Sequence, residues 1–436
     1  MNDSVQKLLA LARQQGVQAE VYFLQLDETP VKFETNRLKS LQTRATTGIA
    51  LRVLSQGRLG FASSTDLSRL EALLAAAIET AGSGDPAEFD FLAAGELPEG
   101  RASRLFTVPS GDHFVRLGDE LVARIRDYNG DILVSAAFTL RRSQVEIATT
   151  GGTTGRRERT TVSASLSGNL VRDADLLEVS DFAVERDGEP DYEQLVAGVI
   201  AKFRRAERTA WVESGTLPVV FSPMAAAFTL GGLFQTALSG QTVLQKTSPL
   251  ADRLDQQVFS EELTLFEAPD QGTAATGFDD EGTPTRAKQF IERGVVQEFY
   301  WDRTWAARAG RLPGGNGFRS GLARPAPGLV NFCMAGGRAT TAQLIGSIDE
   351  GILVEQVLGA GQSNTLAGEF SVNLDLGYKI EKGEIVGRLK NTMVAGNIFE
   401  AFSTQLLGLS RETSWVFGST ALPTIAFSHL GVSSRR

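Results

Sequence analysis

Short turns that contain glycine divide much of this 436-residue chain into runs of alternating polar and apolar residues. Gln56-Gly57, the segment around Gly294, and Lys382-Gly383 each separate two such runs. A tight turn with glycine between two strand-like runs is typical of an antiparallel hairpin. Helical spacing is confined to a few segments, so the sequence predicts an α+β fold with antiparallel pairing. A doubly wound parallel sheet, in which strands and helices alternate, is not favoured.

Composition divides the chain into three predicted domains and one linker. The first domain is a sheet flanked by helices, the second is an antiparallel meander closed by a helix, and the third is rich in strands. Between the first two, glycine, aspartate, proline and glutamate predominate, as is typical of a linker. The predicted bounds are 1–85 for the N-terminal domain, 86–110 for the linker, 111–212 for the middle domain and 213–436 for the C-terminal domain.

Capping residues and apolar spacing predict three helices. The first is expected to begin at a Ser4 cap and to end near Gly16. Asp66 is the expected cap of the second, which ends at Gly82. A third helix, from about Asp191 to Arg208, is predicted to close the middle domain with one apolar face. In the same domain, residues 132–143 and 144–152 are predicted as two separate strands.

Net charge and cysteine usage exclude several classes of function. The formal net charge is −9, so long-range attraction to a phosphate backbone is not expected, and we predict no direct nucleic-acid binding. A single cysteine, Cys333, cannot form an internal disulfide, which fits a reducing compartment. No signal peptide is evident, and apolar runs such as Ala72–Ile78 are too short to span a bilayer. We therefore predict a soluble, cytoplasmic protein without a membrane partner.

The supply of soft metal ligands is small. The chain contains two histidines, His113 and His429, and one cysteine, Cys333, and none lies near another in sequence. A catalytic zinc ion usually takes three ligands from the protein, so a self-contained zinc enzyme is not expected. A magnesium or calcium site built from carboxylates remains open, although no loop has the spacing of an EF-hand.

Asp279–Gly282 is the densest group of carboxylates. Because adjacent carboxylates repel each other, the run is expected in a solvated turn, or beside a cation such as Arg286 or Lys288. The simpler interpretation is an acidic turn shaped by Gly282 and Pro284. The alternatives are a feature of a groove or subunit contact, or a pair of carboxylates for acid–base catalysis, which would need one raised pKa.

A second unusual segment runs from Pro313 to Arg319 and contains three glycines. Glycine allows positive φ and the close approach of another backbone, as in loops that bind peptides or anions. The alternative is a long surface turn.

Motifs spread along the chain resemble, in their order, those of the TldD/PmbA family. FETNRLKS is followed by GIALRV and GRLGFASSTD, and Gly240–Ser248 comes later. An Asp-Glu-Gly-x-Pro motif lies at Asp280–Pro284 and a Gly-Asn-Gly-x-Arg motif at Gly315–Arg319. The pattern continues in GYKIEKGEIVGRLKNTMVAGN and FGSTALPTIAFSHLGV. Each motif alone is weak, but their shared order makes the resemblance strong and extends it over nearly the whole chain.

The resemblance implies that a metal site has been lost. One branch of the family carries a zinc-peptidase helix of the form His-Glu-x-x-x-His, and a late cysteine completes its site. The matching positions here are Gly231, Gly232, Thr236 and Phe417. The expected protein is therefore a metal-free subunit of the PmbA/TldE type, without a catalytic residue or cofactor of its own.

The same resemblance implies partners and contacts. The expected partner is a TldD-like zinc peptidase subunit, and the pair would process extended peptides in a cleft between them. Family members are also linked to modulation of DNA gyrase. The residues expected to contact peptide or partner are Asp280, Glu281, Gly314, Gly315, Asn316, Gly317 and Arg319.

Two other functions remain open. One is a stand-alone binding or scaffold protein on the same fold, which would form a homodimer. The other is a metal-independent hydrolase that uses Asp279, Asp280 or Glu281.

Overall fold

Two large β-sheets, one sheet of two short strands and ten α-helices form the regular structure of the described part of the chain, as a computed structural model shows. The structure describes residues 1–98, 106–172, 175–362 and 364–435. Residues 99–105 of the predicted linker lie outside the described residues. The mixture of helices with mainly antiparallel sheets confirms the predicted α+β class.

Four of the helices precede residue 206, and the other six, which are shorter, follow residue 222. They are α1 (Asp3–Gln14), α2 (Leu70–Ala81), α3 (Gly111–Tyr128), α4 (Tyr192–Arg205), α5 (Pro223–Ala226), α6 (Gly232–Leu238), α7 (Gly240–Leu244), α8 (Arg303–Arg308), α9 (Thr341–Gly346) and α10 (Ile398–Ser403). A π-helical turn, Ala227–Gly231, joins α5 to α6, and a 3₁₀ turn covers Ala360–Gln362.

The strands vary widely in length. Those that precede the C-terminal domain are β1 (Gln18–Glu34), β2 (Arg37–Leu41), β3 (Arg44–Ser55), β4 (Arg58–Ser64), β5 (Gly95–Glu96), β6 (Leu133–Thr149), β7 (Thr153–Arg172), β8 (Asp175–Arg186) and β9 (Thr209–Ala210). Those of the C-terminal domain are β10 (Gly215–Phe221), β11 (Leu265–Glu267), β12 (Lys288–Glu292), β13 (Val295–Val296), β14 (Gly317–Phe318), β15 (Ala326–Pro327), β16 (Phe332–Met334), β17 (Glu350–Leu358), β18 (Glu369–Glu381), β19 (Glu384–Leu389), β20 (Thr392–Asn397), β21 (Leu406–Val416) and β22 (Thr420–Ser434).

The first sheet has eight strands in the order β4-β3-β1-β6-β7-β5, with β2 paired to β1 and β8 paired to β7. Its strands come from both the predicted N-terminal domain and the predicted middle domain, so the sheet crosses the linker. The strands of the predicted N-terminal and middle domains thus belong to one sheet. The domain boundaries themselves stay a prediction. The middle strands pair in antiparallel fashion, as predicted.

The two strands predicted at 132–143 and 144–152 are one strand, β6, so that prediction was wrong. β6 pairs with β1 without interruption from Glu20↔Thr149 to Phe33↔Ala136, and with β7 on its other side. A strand with partners on both edges continues through polar residues such as Arg141 and Arg142, because both ladders fix its backbone.

The second sheet has twelve strands in the order β13-β12-β11-β16-β22-β10-β17-β18-β19-β9, with β20 and β21 attached to it. The three predicted hairpin turns are confirmed. A two-residue turn of type I′ needs positive φ at both residues. The φ angles are Gln56 51° and Gly57 74°, Arg293 47° and Gly294 81°, and Lys382 52° and Gly383 78°.

Two helix starts differ from their predictions. The Asn2 side chain, not Ser4, caps α1 by accepting a hydrogen bond from the Ser4 amide, at 2.9 Å. Asp66 does not cap α2, because its carboxylate accepts from the Ser68 amide in a preceding turn, at 3.0 Å. The expected end at Gly16 is confirmed by its φ of 66°, and the Asp191 cap of α4 by a bond from Gln194.

Helix α3 was not predicted, although Phe114, Leu121, Val122 and Ile125 give it a helical apolar face. It packs with α4 in a core that also contains side chains of the second sheet, such as Tyr378 on β18. α1 and α2 cover a separate core on β1 and β3. Among the described helices, none is long and apolar enough to cross a membrane.

Gly60 sets the distance between β4 and α2. A Cβ atom at this position would lie 1.9 Å from the Ala77 carbonyl oxygen, which belongs to the helix backbone and cannot rotate away. We expect Gly60→Ala to lower the free energy of unfolding by about 1–3 kcal/mol, the usual cost of overpacking. Urea unfolding would measure it.

Gly130→Ala is the matched control, because a Cβ atom there meets nothing within 4 Å. Equal midpoints for the two variants would contradict the close packing of α2 on β4.

Candidate functional site

The positions that match the family's zinc helix lie on one helical run, α5, the π turn and α6. Its buried side carries residues of the C-terminal core such as Ala226, Leu230 and Phe234. Its other side carries the exposed Phe228, which is 53% exposed, and the exposed Gly232. A π turn inside an α-helix is rare and often accompanies a functional site. The helix therefore keeps an unusual geometry at the position where the family's ligands would begin.

The donor chemistry at these positions does not fit zinc, which takes His, Cys and carboxylate ligands. Gly231 and Gly232 carry no side chain, and a Cβ atom on Gly232 would meet nothing within 4 Å. The Thr236 hydroxyl donates to the Gly232 carbonyl at 2.9 Å. Throughout the described ranges, no group of three or more His, Cys, Asp or Glu residues could hold a metal ion.

Phe417 lies against this helix, so the structure brings the fourth predicted position to the other three. Its ring centroid is 5.3 Å from that of Phe228 and 4.6 Å from that of Phe182 on β8. Phe417 and Gly418 form the turn between β21 and β22, with φ angles of 51° and 68°. The turn holds a 41% exposed aromatic ring where the family's peptidase branch has its cysteine.

A cleft of about 490 Å³ lies beside Phe182, which is the one of these three rings in its lining. One wall consists of β8 and α4, and the other of α5 with parts of β17 and β21. The apolar side chains that line it are Phe182, Ala183, Val184, Pro190, Leu195, Pro223, Met224, Trp415 and Val416. The charged side chains that line it are Asp181, Glu185, Asp191, Lys202 and Glu355. No local pattern in the sequence predicts this cleft, because its walls lie far apart along the chain.

Lys202 is the central cation of the cleft. Its Nζ donates to the Ser180 carbonyl at 3.0 Å, and lies 3.2 Å from Asp181 and 3.7 Å from Glu355. The pKa of Glu355 is raised, mainly by burial, and the ammonium of Lys202 offsets only part of this effect. The lining of the cleft thus combines charged groups with the aromatic side chains of Phe182 and Trp415.

The predicted contact residues lie elsewhere, in a buried ionic network between the two halves of the chain. Its centre is Arg52 on β3, whose Nε and Nη2 donate to Glu20 on β1 at 2.9 and 2.7 Å. Its Nη1 donates to Glu281 of the C-terminal domain at 2.6 Å. The side chains of Glu20 and Glu281 are fully buried. Three charged groups from three segments of the chain are therefore paired in the interior.

Two further arginines complete this network. The Arg319 guanidinium is fully buried and donates to Glu20 at 3.0 Å, while its backbone amide donates to Asp280 at 2.8 Å. Arg303 donates through its backbone amide to the Glu281 carboxylate, at 2.6 Å. Arg52 also lies over the rings of Phe89 and Phe91 from the predicted linker.

The acidic run is therefore not solvated, contrary to one expectation. Asp279 accepts bonds from the amides of Glu281, Thr283 and Gly317, and Asp280 pairs with Arg157. Burial and the nearby Glu281 raise the pKa of Asp279 to about 8. The turn itself has the predicted shape, with a φ of 74° at Gly282.

The cations expected beside this run have other partners. Arg286 pairs with Glu298, and Lys288 donates to Glu267 at 2.8 Å. The expected pairing with the acidic run was wrong, because arginines from distant strands fill that place.

The glycine loop packs around the same network. Asn316 is buried and donates to both oxygens of Glu267 at 3.1 Å. A Cβ atom on Gly317 would lie 2.1 Å from Glu281 Oε2, and one on Gly314 would lie 2.8 Å from the Lys288 side chain. Gly315 needs its φ of 79° beside Pro284. The loop residues named here all contact other residues of the same chain. Their contact with a peptide or a partner subunit stays a prediction.

The sequence analysis missed Glu20, Arg52 and Arg303. A signal was present for the first two, since each is a single charge within an apolar strand, AEVYFL and GIALRV. Such a charge is buried only when it is paired, so it predicts an internal ion pair without naming its partner.

Comparisons with known proteins show the family to which the chain is similar. The PmbA/TldA metallopeptidase C-terminal domain matches residues 214–434, and domain 1 of the same family matches residues 19–81. An uncharacterised protein of Methanocaldococcus jannaschii is 25% identical over 402 residues, which are 91% of this chain and 93% of that protein.

Two solved structures share the fold over 99% of this chain. TldE from Thermococcus kodakarensis has a TM-score of 0.88 and 24% identity, and all of that chain is covered. A Thermotoga maritima protein, named as a candidate modulator of a DNA gyrase, has a TM-score of 0.85 and 22% identity, with 99% of that chain covered. Fold and helix together define a metallopeptidase-like scaffold. The chain belongs to the PmbA/TldD family, which confirms the resemblance seen in its sequence.

We expect the protein to lose much of its stability when Arg52, the central cation of the network, is removed. Arg52→Met leaves the buried carboxylates of Glu20 and Glu281 without their shared partner. We expect the free energy of unfolding to fall by about 3–5 kcal/mol, as for other broken buried ion pairs. Chemical denaturation would measure it. Lys246→Met, which breaks the exposed pair with Asp252, is the control and should change little.

The burial of Asp302 should make the free energy of unfolding depend on pH. Burial and the nearby Glu281 raise its pKa to about 7, whereas an unfolded aspartate titrates near 3.9. Between about pH 4 and 7 the folded protein holds a proton that the unfolded chain has released. The free energy of unfolding therefore falls as the pH rises through this window.

Asp302→Asn should flatten this slope, because asparagine keeps the cap on the Trp305 amide but does not titrate. We expect the variant to gain at least about 1 kcal/mol over the parent between pH 4.5 and 8. Urea unfolding across this range is the measurement, with Asp252→Asn as the exposed control. Parallel curves for the parent and Asp302→Asn would contradict the raised pKa.

Proposed function

We propose that this chain is a metal-free, PmbA/TldE-like subunit of a heteromeric zinc metallopeptidase, and that it forms part of the cleft that holds an extended peptide. The zinc ion and the catalytic glutamate belong to a TldD-like partner subunit. In this proposal the chain has no catalytic residue of its own, acts in the cytoplasm, and contacts neither nucleic acid nor membrane.

One observation carries the proposal: the positions that the resemblance assigns to the zinc site hold no zinc donor, with Gly231, Gly232 and Thr236 on the helical run and Phe417 in the turn against it. Gly231 and Gly232 supply no donor, and the Phe417 ring packs on Phe228 of the same helix. A chain that has the helix but not its zinc ligands fits a subunit that forms part of the peptide-binding cleft and does not hold the metal ion.

The cleft beside this helix supports the binding of an extended peptide. One wall is β8, which pairs with β7 on one edge and has no strand partner on the other within the described ranges. Residues 181–185 of this strand line the cleft. An extended peptide can bind by adding a strand to such an edge. Phe182 and Trp415 would pack against its side chains.

The alternative of a metal-independent hydrolase needs a carboxylate with a raised pKa in a concave site. Burial raises the pKa of Asp279, but the three acids lie in the interior and not in a cleft. Asp279, Asp280 and Glu281 are each at most 3% exposed. Their oxygens accept bonds from backbone amides and arginines of the network. A general acid or base has to reach its substrate, and these groups face the interior.

A pull-down from the native cell tests the proposal. We expect a protein with a His-Glu-x-x-x-His helix to co-purify with this chain, and zinc and peptide cleavage to follow the complex. This chain alone should contain no stoichiometric zinc and should cleave no casein-derived peptide. Metal analysis and a chelator-controlled cleavage assay are the measurements.

The combined variant Phe182→Ala, Trp415→Ala removes the two aromatic rings of the cleft lining. Leu312→Ala is its control in the complex, because Leu312 is 90% exposed and does not line the cleft. The ring variant should raise KM and Leu312→Ala should not. Cleavage by the isolated chain after chelation, or a stable homodimer without such a partner, would overturn the proposed function.

A further inference from the structure

Glu355 differs from the other buried carboxylates of the chain. It is 9% exposed, lines the cleft, and its carboxylate accepts no hydrogen bond within 3.5 Å from the described residues. The nearest cation, Lys202 Nζ, lies at 3.7 Å and already binds the Ser180 carbonyl and Asp181. A buried carboxylate is stable as an anion only with donors around it, so this one has room for another.

The lining of the cleft has more acidic than basic groups. Among the described residues, Asp181, Glu185, Asp191 and Glu355 line it together with one cation, Lys202, while Arg205 acts on Glu355 from outside the lining. Asp181 is partly open to the cleft, with 24% of its side chain exposed. Apolar surface from Phe182, Met224 and Trp415 lies beside these acids. Together these features suit a group that has a positive end and an apolar stem.

We propose that the cleft is a subsite for a positively charged group of a bound peptide, held by Glu355 and Asp181. This inference rests on the proposed function, because it assumes that an extended peptide occupies the cleft. The group is an ammonium or a guanidinium, from the peptide's N-terminus or from a lysine or arginine side chain. The N–H groups of this ammonium or guanidinium would donate hydrogen bonds to the carboxylate oxygens of Glu355. The aliphatic part of the same residue would pack on Phe182.

Other ligands fit the site less well. An anion would meet the excess of carboxylates. A divalent metal ion would lie next to the ammonium of Lys202, which is 3.2 Å from Asp181 and 3.7 Å from Glu355. A monovalent organic cation satisfies Glu355 through hydrogen bonds and needs no displacement of Lys202.

Calorimetric titration of the purified chain with four synthetic peptide amides tests the proposal. All have the sequence Ala-Leu-Xaa-Leu-Ala, with lysine or norleucine as Xaa and a free or acetylated N-terminus. We expect the two singly charged peptides, or one of them, to bind at least about tenfold more tightly than the neutral peptide, since a charge-assisted hydrogen bond is strong. Which of the two binds identifies the source of the charge.

Glu355→Gln should remove most of this preference and leave the weak binding of the neutral peptide unchanged. Glu350→Gln is the matched control, because Glu350 lies on the same strand, is exposed, and pairs with Lys379 at 3.2 Å. If Glu355→Gln does not fold, Asp181→Asn serves in its place. Equal binding of all four peptides, absence of any binding, or an equal loss in both glutamate variants would overturn the subsite.

The two proposals fail in different ways. Titration of the isolated chain needs no partner, so a charge preference without a co-purifying zinc subunit would overturn only the proposed function. Cleavage by the complex with no difference between lysine and norleucine peptides, and no effect of Glu355→Gln on KM, would overturn only the subsite.

Discussion

The shared ion pair of Arg52 with Glu20 and Glu281 determines how the two halves of this molecule meet. Arg52 and Glu20 are directly paired residues on β3 and β1 of the first sheet, while Glu281 belongs to the C-terminal domain. Removing a charge from water costs several kcal/mol per ion, and this is offset only when partners hold it at close range. The network therefore favours the arrangement of the two halves in which Glu281 reaches Arg52, and in this arrangement β8 and β17 lie on opposite walls of the cleft.

This constraint explains which motifs the chain shares with its family. The Asp-Glu-Gly-x-Pro segment supplies Asp280 and Glu281, and the Gly-Asn-Gly-x-Arg segment supplies Asn316 and Arg319, and all four have internal partners. The motifs that carry the resemblance are thus parts of the scaffold. A scaffold of this kind stays intact when the separate metal-ligand positions change, which is why family membership alone does not establish chemistry.

What the sequence could predict depends on the range of each interaction. The three hairpins were predictable because the backbone of a residue such as Gly57 or Gly383 is determined by its immediate neighbours. The network was not, since Arg52 and Glu281 are 229 positions apart, and an isolated charge in a strand does not name its partner. Helix α3 was predictable from its apolar spacing but was hidden by its position at the end of a linker-like segment. The cleft depends on the packing of two sheets, which no local pattern encodes.

The same physical rule distinguishes the two groups of buried acids. In the network each carboxylate has amides or guanidinium groups within hydrogen-bonding distance, as Asp279 does with three backbone amides. Glu355 is 9% exposed and lines the cleft, and its neighbouring cations are the Lys202 ammonium, at 3.7 Å, and Arg205. The oxygens of the network acids are occupied by internal donors, whereas those of Glu355 can still accept hydrogen bonds from a group bound in the cleft.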